Sequence, residues 1–235
     1  MRTVLTLGWW TLMTPVAGLL TLPYTLLTGD TRFLWRVGMW VVRTGVRIAG
    51  VRVEIVGRDK LDLSRNYIFM SNHVSNLDPP LLIPNLPRQT SILVKKELFR
   101  IPILGFAMRA AKLVPVDRSN RDAAIASVRE AAEVMQGGFD MTVYPEGTRS
   151  PDGRLLPFKK GPFYLALETG FPIVPITLLG TFEISPKGKF FIDSKAAAAQ
   201  IVFHDPIWPK DYRERDALIE AVRQSVASAL PPERR

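Results

Sequence analysis

Cysteine is absent from the 235-residue sequence, and histidine occurs only as His73 and His204. Without cysteine there is no disulfide framework, no thiolate metal site and no cysteine nucleophile, which suits a reducing compartment. Two distant histidines with no His-Glu-x-x-His make a poor zinc site, so no metal is expected. No Gly-x-Ser-x-Gly elbow offers a serine nucleophile. Neither Gly-x-x-x-x-Gly-Lys-Ser/Thr nor Gly-x-Gly-x-x-Gly is present, which lowers nucleotide-binding readings. Acidic residues are the scarcer charges, 22 against 31 Lys and Arg, giving a formal net charge of +9 and a pI near 10.0. That excess attracts polyanions generally: nucleic acid, anionic lipid or a phosphorylated substrate. With 47% hydrophobic and 23% charged residues, the chain is neither disordered nor fibrous, and its length suits one compact domain with an appendage.

Charge is also missing locally. Between Arg2 and Asp30 lie 27 uncharged residues, among them Trp9, Trp10 and Tyr24. About 20 residues span a bilayer core as a helix, so the segment is long enough to reach a membrane. Pro15 and Pro23 are expected to interrupt it, which sets a re-entrant or interfacial segment against a true span. A cleaved signal peptide fits less well, because the apolar run continues past Ala17-Gly18. Residues 33–50 follow a helical pattern, and Arg32, Arg36, Arg43 and Arg47 fall within an arc of about 60° at helical spacing, away from Phe33, Val37, Val41 and Ile48. Such a stripe is either a solvated face or a row of arginines at lipid phosphate level, and arginines after an apolar segment favour the cytoplasmic side for the chain beyond them. Residues 1–50 are therefore assigned to a membrane-associated helical segment, and residues 51–235 to a separate domain.

From Val51 onward, short apolar runs alternate with helical stretches. Strands are expected at 51–56, 67–71, 91–94, 112–116, 141–144, 173–178 and 200–203, and helices at 79–83, 121–136, 162–169 and 212–230. The second helix carries Ile125, Val128, Ala132 and Met135 on one face and stops at Gly137-Gly138. The alternation describes an α/β domain with a largely parallel sheet flanked by helices.

Ligands of such sheets sit beyond the carboxyl ends of the strands. There the sequence places Asn72-His73-Val74-Ser75-Asn76-Leu77-Asp78, Asp117-Arg118 and Pro145-Glu146-Gly147-Thr148-Arg149-Ser150. One imidazole, acids and two arginines converging on one edge suggest a phosphorylated substrate. Asp78 before Pro79-Pro80 reads as a helix N-cap. A four-residue loop also allows its carboxylate to turn back onto His73 and fix the imidazole as a general base toward a hydroxyl. With no protein nucleophile available, such a base implies direct attack by a substrate hydroxyl.

In order and spacing, Asn72-His73 with Asp78, Val116-Asp117-Arg118, Pro145-Glu146-Gly147-Thr148-Arg149-Ser150 and Ile173-Val174-Pro175-Ile176 resemble the four sequence blocks of the glycerolipid acyltransferases. Among these the chain looks most like the bacterial 1-acyl-sn-glycerol-3-phosphate acyltransferases. Tyr144 departs from the phenylalanine common at that place. The resemblance implies that His73, held by Asp78, deprotonates the 2-hydroxyl of lysophosphatidate, which attacks an acyl thioester of coenzyme A or acyl carrier protein. It implies acceptor phosphate binding by Arg118 and Arg149 with backbone amides near Gly147, and makes Lys112 and the Lys159-Lys160 pair further phosphate candidates. Glu146 and Thr148 belong to the acceptor block by the same likeness, Glu146 through the glycerol or by orienting an arginine, with a salt bridge to Arg149 as the purely structural alternative. Pro175 belongs to a block whose link to the donor is architectural. No cofactor beyond the thioester co-substrate is implied. The expected partners are lysophosphatidate, the donor and anionic lipids at the cytoplasmic face of a bacterial inner membrane. Glycerol-3-phosphate or another lysolipid remains an alternative acceptor. No nucleic acid is expected, because no recognised motif interleaves basic and aromatic residues.

Overall fold

The computed structural model describes residues 1–117, 121–189, 191–193 and 197–235, with backbone only for 121–124. The first two helices, α1 (Arg2–Thr28) and α2 (Arg32–Ala49), form a hairpin turned at Gly29, whose φ of 70° lies in the left-handed region that glycine tolerates. Contrary to the sequence expectation, Pro15 and Pro23 do not interrupt α1, which is a single helix. Each proline removes one intrahelical hydrogen bond, and packing along α2 holds the helix together regardless. Trp9 Nε1 donates to Val41 O at 2.9 Å, and a Cβ at Gly45 would meet Trp10 Nε1 at 2.1 Å, so the hairpin closes around a glycine.

Seven strands come next: β1 (Arg52–Val56), β2 (Ile68–Ser71), β3 (Thr90–Lys95), β4 (Val114–Val116), β5 (Asp140–Val143), β6 (Ile173–Leu179) and β7 (Ala198–Phe203). They form one sheet in the order β1-β7-β6-β2-β5-β3-β4, and every pairing is parallel except β6 with β7. Both faces are covered, which is why the central strands read as continuous apolar runs. Ile68, Met70 and Ile173 point into one core with residues of α5 (Arg121–Gln136), α6 (Gly161–Thr169) and α8 (Arg215–Ser228). Tyr67, Phe69 and Val174 point into the other, beneath α3 (Asp78–Leu82).

Two short helices escaped the sequence reading, α4 (Leu104–Ala110) and α7 (Thr181–Ile184). The α5 face is also rotated from expectation. Its buried residues are Ser127, Ala131, Ala132 and Met135, while Ile125 is 47% exposed. Ser127 can turn inward because its Oγ donates to Pro115 O at 2.7 Å, which satisfies the hydroxyl and makes a polar residue acceptable there.

Candidate active site

Because β2 and β5 are immediate neighbours, the loops leaving their carboxyl ends lie side by side. The β2 loop brings His73, and the β5 loop brings Tyr144, Glu146 and Arg149. Asn72 anchors the first loop to β6: its Nδ2 donates to Leu178 O at 3.0 Å and its Oδ1 accepts from Leu178 N at 2.7 Å.

Asp78 opens α3, but its side chain does not cap that helix. The carboxylate turns backward instead. Its Oδ2 accepts from Val74 N at 2.7 Å and Ser75 N at 2.8 Å, and lies 2.8 Å from His73 Nδ1. The capping expectation is corrected accordingly: three donors in the preceding loop outcompete the helix for one oxygen. Since a carboxylate only accepts, Nδ1 carries the proton and Nε2 is the free base. The Asp78 side chain is wholly buried, and that of His73 is 13% exposed. Tyr144 stacks on the imidazole, with centroids 4.1 Å apart and planes 22° apart. Burial, followed by the Asp78 charge, raises the Tyr144 hydroxyl well above the ordinary range, so it stays protonated.

Glu146 is 1% exposed and makes no salt bridge with Arg149 among the described contacts. Its Oε1 accepts from His73 N at 2.6 Å and its Oε2 from Leu156 N at 3.0 Å. Burial pushes its carboxyl up to about 7, against the opposing pull of those two amides. Ser150 N donates to His73 O at 2.8 Å, so the β5 loop grips both backbone polar groups of His73. Arg149 leans the other way, its Nη1 donating to Asn76 Oδ1 on the His73 loop, while its own carbonyl accepts from Lys187 Nζ at 2.7 Å. Neither Asn76 nor Lys187 was singled out in the sequence. Asn76 sits inside the four-residue spacer between His73 and Asp78, a signal that spacing alone leaves unread.

The remaining expected residues divide. Gly147, with φ of 72°, donates its amide to Tyr144 O at 3.0 Å in a turn that exposes Thr148. The Lys159 side chain runs beside Gly147, while Lys160 faces Asp216 instead. Pro175 lies within β6 in register with Met70 of β2, buried in the sheet rather than at its loop edge. Lys112 precedes β4, at the amino ends of the strands, where its carbonyl accepts from Ser91 Oγ at 2.6 Å; the structure does not bring it to His73. Arg118 lies outside the described residues.

Two apolar cavities are walled in part by residues of this centre or next to it in the chain. One of about 340 Å³ lies between α1, α2, α3 and α4, with Gly18, Val41, Met108 and the two residues after Asp78, Pro79 and Pro80, in its wall. The other, about 280 Å³, lies beside Tyr144 and Gly147, with Leu93, Val128 and Lys159. The first falls within the size range of small-ligand sites and the second just below it. Among the described residues no group of three His, Asp or Glu side chains is placed to hold a metal ion.

Residues 52–179 match the family model described as Acyltransferase. The chain belongs to the acyltransferase family. Among its relatives in that family is the 1-acyl-sn-glycerol-3-phosphate acyltransferase of Chlamydomonas reinhardtii, 36% identical over 77% of this chain and 54% of the algal protein. Another is the protein of the same name from Borreliella burgdorferi, 29% identical over 80% of this chain and 76% of its own length. The crystal structure of the 1-acyl-sn-glycerophosphate (LPA) acyltransferase PlsC from Thermotoga maritima superposes with a TM-score of 0.81 at 28% identity, covering 97% of this chain and 95% of that one. Its agreement extends to the α/β sheet flanked by helices. The chain spans about half the length of the plant and algal acyltransferases it matches first.

Proposed function

We propose that this acyltransferase moves an acyl group from a thioester to the 2-hydroxyl of 1-acyl-sn-glycerol-3-phosphate, giving phosphatidate. The observation that carries the reading is the His73–Asp78 pair, which leaves Nε2 as a base at the loop edge of the sheet, with the ring stacked on Tyr144 of the smaller cavity. The acceptor hydroxyl gives its proton to Nε2 as its oxygen attacks the thioester carbonyl. A tetrahedral oxyanion forms, the C–S bond breaks, and the departing thiolate takes the proton from the imidazolium. Asp78 stays ionised and stabilises the imidazolium. The thioester of coenzyme A or of acyl carrier protein serves equally as donor in this scheme, and no further cofactor takes part. Family membership and the names of the relatives support the acceptor assignment.

Arg149 supplies the cation for the acceptor phosphate, with Arg118 as its companion by motif. A charge-assisted hydrogen bond contributes about 1.5–3 kcal/mol, so Arg149→Ala should raise the KM for the phosphorylated acceptor roughly 10- to 100-fold and leave the donor KM within about twofold. Arg149→Lys should also be impaired, because an ammonium cannot reproduce bidentate geometry. The assay is an acceptor panel of lysophosphatidate, glycerol-3-phosphate and lysophosphatidylcholine against both thioesters. Preference for an unphosphorylated acceptor would sink the reading, and an effect confined to the donor KM would reassign Arg149 to the donor.

The helical hairpin holds the enzyme on a membrane surface, in this reading at the cytoplasmic face of a bacterial inner membrane. Length and composition alone allow α1 to cross a bilayer. Two contacts favour lying on it: Thr3 Oγ1, near the start of α1, accepts from Ile192 N at 3.0 Å, and Thr31, just past its end, bonds Gln89. Ties to the α/β domain at both ends support a helix that lies on one side of the membrane. Leu5, Leu12, Leu19, Leu20 and Leu27 are exposed within an arc of about 100°, and Arg32, Arg36, Arg43 and Arg47 are all exposed on α2. Arg43 is partly committed, donating to Pro84 O at 2.5 Å. Changing Arg32, Arg36 and Arg47 to Gln should weaken binding to anionic vesicles by about 1 kcal/mol each and flatten its salt dependence. Vesicle sedimentation across a salt series reads the effect. Unchanged binding would mean that the stripe is an ordinary solvated face.

A further inference from the structure

The geometry points to Glu146 as a positioning residue for His73, a splint that fixes the backbone of the base, and not as a ligand of the acceptor. This deepens the acyl-transfer reading and rests on it. The inference stands on the use of both carboxylate oxygens. Oε1 takes the His73 amide at 2.6 Å and Oε2 the Leu156 amide at 3.0 Å, and the residue is 1% exposed. Its remaining lone pairs are buried, so a glycerol hydroxyl has poor access to them.

The same loop completes the grip. Ser150 N donates to His73 O, so the amide and the carbonyl of His73 are both held from one neighbouring segment. Leu155 N, one residue before the second Glu146 contact, donates to Arg234 O at 2.9 Å, which steadies the segment from the far side. Asp78 fixes the imidazole ring through Nδ1, while Glu146 fixes the backbone that carries it. Two acids thus divide the work: one sets the tautomer, the other sets the place of Nε2.

Glutamine is the discriminating substitution. It keeps the length and one oxygen, but its amide NH2 must face either the His73 or the Leu156 N–H, donor against donor. Misplacement of a reacting atom on the ångström scale costs on the order of 10²-fold. The full-length Glu146→Gln protein is therefore expected to lose about 10- to 100-fold in kcat with the acceptor KM within about twofold. An acceptor ligand would show the opposite split, and a raised acceptor KM with kcat kept overturns the proposal.

His73 and His204 are the two histidines of the chain, which makes imidazole NMR a second readout. With histidine labelled and the signals assigned by His73→Ala, the His73 ring resonance should shift or broaden in Glu146→Gln while that of His204 stays in place. An unmoved His73 resonance overturns the proposal. Should the variant fail to fold, the unaltered protein supplies the test. Its His73 and Leu156 amide protons should move together through one titration near pH 7, where burial places the Glu146 carboxyl. The titratable neighbours are the His73 ring and Asp78. The ring directly perturbs only the His73 amide, so the Leu156 amide identifies the carboxyl. Independent movement of the two amides removes the shared partner and overturns the proposal. If the unaltered chain transfers no acyl group, the functional reading fails on that result alone, and the NMR measurements still decide where the Glu146 carboxylate is engaged.

Discussion

His73→Ala is expected to lower kcat by about 10²- to 10⁴-fold, the range a positioned general base supplies, and to leave the fold and membrane binding in place. Binding and fold persist because the imidazole is a modest part of the buried surface and its loss leaves the exposed leucines and arginines of the helical hairpin unaltered. Asp78→Asn should come close to the same loss by a different route. Asparagine can still accept from the Val74 or Ser75 amide, but it brings no charge to stabilise the imidazolium. Its NH2 group can also demand an acceptor from Nδ1, which would favour the tautomer with its proton on Nε2, where the base is needed. Steady-state rates with a saturating acceptor, read beside a circular-dichroism melt, check both variants. Wild-type turnover in a folded His73→Ala protein would remove the imidazole from the reaction.

The reach of the sequence varies with the kind of signal. All seven strands are legible, the central β2, β5 and β6 as mostly apolar stretches buried on both faces and the edge strand β1 as an alternating pattern, each bounded by polar loops. Their parallel arrangement then places His73, Glu146 and Arg149 on one edge from pattern alone. Lys112 is misplaced by two residues of strand boundary: β4 begins at Val114, and the lysine belongs to the loop feeding the strand's amino end. The missing α4 is seven residues long and begins after Pro102 and Ile103, the latter at φ of 63°, so no periodicity could accumulate. That short helix nevertheless walls the larger cavity.

Side-chain direction is the least legible property. Asp78 could cap a helix forward or hold a histidine backward, and spacing allows both. Only the folded loop presents the two amides that draw its carboxylate back. Glu146 shows the same limit more sharply. Three residues before Arg149, it invites a salt bridge on paper, yet its partners are amides at positions 73 and 156, neither of which any charge pattern would nominate. Pro15 and Pro23 err in the other direction, since propensity favours a break in α1 and tertiary packing along α2 outweighs it.

The second large effect is expected at the opposite end of the same two strands, in Arg88→Ala, which should destabilise the protein by about 3–5 kcal/mol at neutral pH. Asp140 begins β5 with its side chain fully buried, and its Oδ1 accepts from Tyr67 N at 2.9 Å, tying β5 to the start of β2. Arg88 Nη2 donates to that oxygen at 2.8 Å and Nε to Oδ2 at 3.3 Å. Further donors of the guanidinium reach Leu63 O, Arg65 O and Asn66 Oδ1, so one side chain closes the amino edge of the strands whose other ends carry His73 and Glu146. Removing it leaves an uncompensated charge in the interior. Burial already raises the Asp140 carboxyl above its ordinary value despite Arg88. The folded state therefore holds the Asp140 proton at a higher pH than the unfolded chain does, and this group's contribution to stability falls as pH rises through that interval. Loss of Arg88 should lift the carboxyl further, so Arg88→Ala should recover part of its deficit on acidification. Asp140→Asn should cost less than Arg88→Ala, because it keeps an acceptor for Tyr67 N and removes the charge, and the double variant should be more stable than the two single losses added together. For a chain of this size the Arg88→Ala deficit corresponds to a Tm lower by roughly 10 °C. Chemical denaturation of the three variants at two pH values decides the matter: an Arg88→Ala loss below about 1 kcal/mol, or one that grows on acidification, would mean that Asp140 is not held as a buried charge.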